Sequence, residues 1–362
     1  MDEANDYLSN RTCLKDIKSK YILKIIFNNL SIIKYLNVIR YNKRFQNLLK
    51  ITKDDYKKNS KIVIEITPLE NKYGNFIHFK EEDKPYYHIY FNDNNNETNR
   101  TDINQKDINT IKVLIDYEAT SLSGIFKNCK CIKKIDFKLF QRTNITDMKE
   151  MFFGCTELQN LNFSNFKTNN VNNMRSMFYR CSSLKEINTS NFNTNNVKNM
   201  AYMFEECSSL KEIDVSKFNT NKTIDMSCMF KGCNSLKKLD LSNFNTNNVT
   251  NMYSMFFSCS KLEELNLSNF NTSNVINLGN MFNGCNSLKK LEISSFDISN
   301  VGDMSFMFGY CSLLTEISIS NYNNNFVINI DKMFYECKAL KKINCSEEFK
   351  KLLKEKFPNL NL

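Results

Sequence analysis

The chain has 362 residues, a formal net charge of +10, 13 cysteines, 3 prolines, 8 glycines and no tryptophan. That length exceeds one typical globular core, although a repeat stack grows without this limit because each unit adds its own core. Apolar runs such as Tyr21–Phe27 are far below the roughly 20 residues that cross a bilayer, which excludes a membrane span.

The opening MDEANDYLSN is acidic and polar, with no basic stretch leading into an apolar core, so a standard secretion signal is not expected. Residues 1–55 read as a helical module. Ile22, Leu23, Ile26, Phe27 and Leu30 form one apolar stripe, and Leu36, Val38, Ile39, Phe45, Leu48 and Leu49 form others. The run from Leu23, LKIIFNNLSIIKYLNVIRYNKRFQNLL, resembles the F-box, the module that joins substrate adaptors to the Skp1 subunit of cullin ubiquitin ligases. That resemblance implies Skp1 contacts at Phe27, Leu30, Leu36 and Phe45. The usual opening Leu-Pro is missing, since Lys18 and Ser19 stand there, and Lys34 replaces the usual acidic residue. A helical cap over the first repeat satisfies the same pattern.

Residues 56–109 change to strands. Lys61–Thr67, Asn75–Lys80 and Tyr86–Asn92 are short β-branched or aromatic runs, and Asn92–Asp107 is a polar loop. Thr110–Ile115 is expected to begin the sheet of the next region. This β-rich segment is read as a cap, because an uncovered first repeat exposes a strand edge.

Residues 110–345 are repeats. Nine cysteines, from Cys129 to Cys337, recur every 26 residues without an insertion. Apolar residues follow each cysteine at three and six residues, and in most units at eight, as in Leu262, Leu265 and Leu267. The alternation is that of a short strand with one face buried. An aromatic closes it in eight units, Phe140, Phe166, Phe192, Phe218, Phe244, Phe270, Phe296 and Tyr322, and these are expected to stack into a spine. Asn251 before Met252, Met255, Phe256 and Cys259 reads as an N-cap and two helical turns. The expected coil is therefore a strand, an Asn-rich turn and a short helix, stacked in parallel at about 4.8 Å.

The run MFxxCxxLxxLxLSNFxTxxVxxM, almost whole from Met177 to Met200 and from Met229 to Met252, resembles the BspA-like subclass of leucine-rich repeats. The resemblance implies an α/β solenoid with a parallel β-sheet on one face. It also implies a surface or adhesion protein without a defined ligand. Beyond the repeats, residues 346–362 read as a C-terminal capping helix, N-capped by Ser346, with Phe349, Leu352, Leu353 and Phe357 on one face.

The periodic cysteines occupy one buried position and act there as small apolar residues. Parallel Cβ vectors suit disulfides poorly. Reduced thiols and the absence of a signal point to a cytoplasmic protein, the alternative being the cell surface by a non-standard route. Asn, Lys and Ile dominate, which reads as an AT-rich coding sequence and lowers the weight of the asparagines.

The positive charge invites nucleic acid, but the outward strand positions carry Lys134, Lys138, Lys238, Lys290 and Lys342 against Asp136, Glu186, Glu212, Asp214, Asp240, Glu264, Glu292 and Glu316. That face is mildly acidic, and no exposed aromatic interleaves with a basic stripe, so nucleic acid is not expected. The histidines His78 and His88 form no metal pattern, and no phosphate loop, nucleophile elbow or zinc helix occurs. No cofactor, metal or enzymatic activity is expected. The function expected is a protein-interaction scaffold; the alternatives are an F-box-type adaptor and an exported adhesion protein. Glu212, Asp214, Asp240, Glu264 and Glu292 are the ligand-contact candidates, and their charge calls for a basic protein partner.

Overall fold

The computed structural model describes residues 60–358 apart from 93, 141, 143 and 320–328, together with Ser19, Ile22, Ile25, Lys43, Asn47 and Lys57. It divides into two units, Met1–Lys61 and Ile62–Leu362. In the first, Ile22, Ile25, Lys43, Asn47 and Lys57 are helical, and Ile22 N–H donates to the Ser19 hydroxyl at 3.4 Å. Phe27, Leu30, Leu36 and Phe45 lie outside the described residues.

The second unit opens with β1 (Ile62–Pro68), β2 (Gly74–Asn75), β3 (Tyr87–Phe91), β4 (Glu97–Thr98), β5 (Asp102–Ile103) and β6 (Ile111–Ile115), followed by β7 (Ile132–Leu139) and β8 (Asn160–Asn162). Six of them form one sheet in the order β4-β3-β6-β1-β7-β8. β1 reads IVIEITP, and its alternation buries Ile62, Ile64 and Ile66 completely. The expectation that Thr110–Ile115 begins the repeat sheet is corrected, because β1 stands between β6 and β7. It runs antiparallel to both, with Ile64 opposite Phe137 and Ile66 opposite Ile135. β1 thereby covers the edge of the first repeat strand, which would otherwise present a row of free backbone groups.

From Ser121 to Asn329 the chain winds as a solenoid. Bridges join Ser121, Asp147, Asn173, Asn199, Asp225, Asn251, Asn277, Asp303 and Asn329, one rung per 26-residue turn. Strands β7, β8, β9 (Lys238–Asp240), β10 (Glu264–Asn266), β11 (Lys290–Ile293), β12 (Glu316–Ile319) and β13 (Lys342–Asn344) occupy one side, pairing in parallel where they pair with one another.

The opposite side is not helical. Each Met-Phe-Cys segment is a chain of β-turns, as when Met203 N–H donates to Met200 O, Glu205 to Tyr202 O and Cys207 to Phe204 O. Tyr202 (φ 61°) and Glu206 (φ 59°) are left-handed, the conformation that the third residue of a type II turn requires. The remaining N–H groups leave the coil altogether. Met200, Tyr202, Phe204 and Glu206 donate to Asp225, Ser227, Met229 and Lys231 of the next coil at 2.7–3.1 Å. Three-residue turns place residues n, n+3, n+4 and n+7 inward just as a helix does, which is why the periodicity suggested one.

The core is a set of columns. Phe126, Phe152, Phe178, Phe204, Phe230, Phe256, Phe282, Phe308 and Phe334 stack with centroids 5.4–6.0 Å apart. The strand-closing column is also present, from Phe140–Phe166 at 4.4 Å to Phe270–Phe296 at 6.3 Å; Tyr322 lies outside the described residues. The periodic cysteines do more than fill space. Each from Cys155 onward donates its Sγ–H to a carbonyl of the preceding coil, Cys233 to Phe204 O at 3.2 Å for example. All described cysteines are free thiols, and burial pushes Cys155, Cys207 and Cys259 up to about 12.

The asparagines are structural, which corrects the compositional reading. At the rung positions, Asn199 Oδ1 accepts the N–H of Ala201 and Asp225 Oδ1 that of Ser227. A second file does the same, Asn245 to Asn247 and Asn271 to Ser273. Both are Asx-turns, which Asn and Asp satisfy equally. Between them runs a buried threonine file: Thr246 Oγ1 donates to Asn271 O and accepts Asn271 N–H, both at 2.8 Å. After β13 comes α1 (Glu347–Lys356), where the Ser346 hydroxyl accepts Phe349 N–H and Phe349 and Leu353 are buried.

Candidate functional site

Backbone bonding along the strand side is discontinuous. The rungs β7/β8, β9/β10 and β11/β12/β13 are paired. Among the described residues no backbone bond links 159–163 to 185–189, 211–215 to 237–241, or 263–267 to 289–293. Residues 186–188 and 212–214 are not strands at all; among the described residues no backbone bond joins them, and Lys211 N–H donates to Lys185 O just before them.

Thr189 shows how one rung is lost. The inward file eight residues after each cysteine reads Phe163, Thr189, Val215, Leu241, Leu267, Ile293 and Ile319. In the β9/β10 pair, Leu241 N–H donates to Asn266 O. At the equivalent place in the earlier coils, the acceptor Asp214 O is taken by the Thr189 hydroxyl instead. The Thr189 side chain is buried, so its hydroxyl must find a partner inside, and it takes the one that the ladder uses.

The opening forms a hollow of about 650 Å³, lined by Gln159, Asn160 and Leu161, by Glu186–Ser190, and by Glu212, Ile213 and Asp214. Its lining holds three carboxylates and no basic side chain. Where the ladder is intact the balance differs: Lys238 meets Glu264 at 2.5 Å, Lys342 meets Glu316 at 2.8 Å, and Lys138 meets Asp136 at 2.7 Å. Among the described residues Glu186, Glu212 and Asp214 form no such ion pair, and the cations Lys185 and Lys211 line the adjoining hollow that shares Glu186 and Glu212.

The candidate residues are all exposed, but the fold distributes them over separate segments. Glu212 and Asp214 line the hollow, Asp240 and Glu264 share the β9/β10 patch, and Glu292 stands on β11. Asp214 and Asp240 also hold their own turns, each Oδ1 accepting an N–H two residues on, from Ser216 and Ser242 at 2.9 Å. The Ser216 hydroxyl and N–H hold Asp214 below the usual carboxylate range, and the Ser242 N–H and hydroxyl do so for Asp240. Glu292 accepts from Ser294 N–H. Asn162, Asn188 and Asn266 perform the same task in their coils. The turn thus demands an acceptor at this position, and the charge is additional. Sequence reasoning passed over Thr189 and did not select Glu186; the polar residue in an otherwise apolar file was the signal.

The chemistry available here is hydrogen bonding and charge. Among the described residues no cluster of His, Cys, Asp and Glu fits a metal. His88 is held between Glu97 (3.0 Å) and Asp116 (3.1 Å), and His78 N–H bonds Ile125 O. On the turn side half-buried aromatic rings and basic side chains lie together. Phe153 stacks on Tyr179 at 4.4 Å, flanked by Lys127 at 4.9 Å and Arg180 at 5.2 Å from the ring centres. These cations already lie over the rings, so the arrangement is satisfied within the chain. Among the described residues no helix is long and apolar enough to cross a membrane.

Residues 120–239 and again 224–347 match the family described as Mycoplasma protein of unknown function, DUF285. Among solved structures, the chain is similar to a leucine rich cell surface protein from Faecalibacterium prausnitzii A2-165. Identity is 16% over 62% of this chain and 76% of that one, with a TM-score of 0.25. It is also similar to TLR13 in a complex with ssRNA13, at 13% identity over 59% of this chain and 40% of that one, with a TM-score of 0.20. No curated protein matches the sequence.

Proposed function

The chain belongs to the DUF285 family of Mycoplasma proteins of unknown function, and from that premise we propose that it is a non-enzymatic scaffold binding a basic protein partner along its strand side. The observation that carries this is the line of exposed carboxylates, Glu212, Asp214, Asp240, Glu264 and Glu292, set at 26- or 28-residue steps and smaller offsets on a stack knitted from behind. Repeat stacks offer such extended faces, and charge across an interface sets association rate and partner choice.

The test is a partner isolated by affinity purification with mass spectrometry, followed by association kinetics. Asp214→Lys with Asp240→Lys should slow association and reduce its dependence on salt while the protein stays folded. Binding indifferent to both the double variant and ionic strength moves the site off this face. The adaptor reading rests on Leu23–Leu49 alone, which the family match does not reach; it requires Skp1 capture by the full chain that Phe27→Asp abolishes. The free thiols favour a reducing compartment. Protease cleavage on intact cells would place the protein at the surface instead.

A further inference from the structure

We propose that the hollow beside Thr189 is the seat of the partner, and that what enters it is an extended segment bearing Lys or Arg side chains. The inference rests on the scaffold reading and narrows it to one place. Three observations converge there. Residues 186–188 and 212–214 present backbone donors and acceptors without backbone partners of their own. Where rungs of this side are paired, these groups are consumed. An extended chain satisfies such groups with its own main chain, and that is the source of affinity whenever a peptide docks on sheet-like backbone. Specificity comes from Glu186, Glu212 and Asp214, which line the hollow and form no ion pair among the described residues, Lys185 and Lys211 lining the adjoining hollow.

Thr189 connects the two. Its hydroxyl occupies Asp214 O, so the N–H of residue 189 is not spent on that rung. Val215, at the same place one coil on, makes no backbone bond to Asp240 O, so an apolar residue here leaves the rung open. Thr189→Val therefore keeps the shape, removes the hydroxyl and frees Asp214 O for an incoming main chain. It separates backbone capture from simple acid–base attraction.

The experiment titrates a fluorescein-labelled peptide of alternating lysine and threonine, an extended basic probe, against the full chain by anisotropy. Glu186→Gln with Glu212→Gln should weaken binding about tenfold or more. Thr189→Val, which frees Asp214 O for the incoming main chain, should strengthen it with every carboxylate in place. Hydrogen exchange at residues 186–188 and 212–214 should slow on binding. Glu316→Gln, whose partner is Lys342, should change little. Equal losses from Glu316→Gln and from the hollow variants would overturn the hollow while leaving a strand-side scaffold standing. Binding untouched by all these variants overturns both. Unchanged affinity of a folded Thr189→Val protein, with unchanged exchange at 186–188, overturns the backbone part.

Discussion

The two sides of this solenoid are held by different rules. At the junction between the Cys207 and Cys233 coils, the turn side contributes four backbone bonds from Met200, Tyr202, Phe204 and Glu206, with Ile224 N–H returning to Lys198 O. The strand side of the same junction contributes none between 211–215 and 237–241. The turn side therefore carries the register of the stack, and the strand side is free to vary from coil to coil. Stability and recognition are assigned to opposite faces, in a fold whose strands would ordinarily be taken as its backbone.

Hydrogen exchange is the sharpest way to break this division. Amides that donate to the next coil on the turn side, such as Phe204 and Phe230, should exchange only through large-scale opening. Ile187 and Ile213, whose side chains are buried or half-buried, make no backbone bond through their amides. We expect their exchange to be faster by roughly four orders of magnitude or more, since local opening spans from about zero to the global stability. Comparable protection on both sides would falsify the division.

Substitution should show the same ranking in energy. Phe230 is fully buried, between Phe204 and Phe256, and Phe230→Ala should cost about 3–5 kcal/mol in urea unfolding. Thr246→Val tests the polar file that lies between the two sides. It leaves the N–H and C=O of Asn271 without their Thr246 partner, and a buried unsatisfied group costs about 1–3 kcal/mol. A Thr246→Val protein as stable as the parent would mean that water reaches this file and that the column is not sealed.

Much of this architecture was legible because the period is strict. The cysteine, leucine and phenylalanine files were read in register, and the fully buried Cys233, Leu236 and Phe230 are where the spacing put them. The helix was misread because the left-handed positions are filled by Arg180, Tyr202, Phe306 and Lys332, and nothing in those side chains announces a positive φ. The broken ladder was hidden for another reason. The coils of Cys181 and Cys207 share the LKEI run with its outward carboxylate, and nothing in that run announces that the Thr189 hydroxyl takes the acceptor a ladder bond would use.

The cap that seals the strand side should respond to pH. His88 on β3 reaches Glu97 on β4 and Asp116 beyond β6. Burial opposes the charged ring, but the bonds to Asp116 and then Glu97 outweigh it and raise its pKa above 6.5. A raised folded pKa means that the contribution is complete below the ordinary histidine value and is lost as pH rises through the higher folded one. Melting temperature should therefore fall slightly across that window, the stability lost being under about 1 kcal/mol once solvent screening is counted. His88→Gln should flatten the profile.

The smallest effect tests the turns themselves. Arg180 holds φ 57° in the position where Gly154, Gly232 and Gly284 stand in other coils. A left-handed non-glycine residue is strained by about 1–2 kcal/mol, while glycine costs roughly 0.5–1 kcal/mol more in chain entropy. Arg180→Gly keeps the backbone bond to Glu205 O and loses a cation–ring contact on the exposed Arg180 side chain. The balance is a gain of about 0.5 kcal/mol, read as a small rise in the urea midpoint at unchanged slope. At a helical position the same substitution would cost about 1 kcal/mol. The sign of the change therefore decides between a chain of turns and a helix, and a loss of that size would restore the helix that the spacing first suggested.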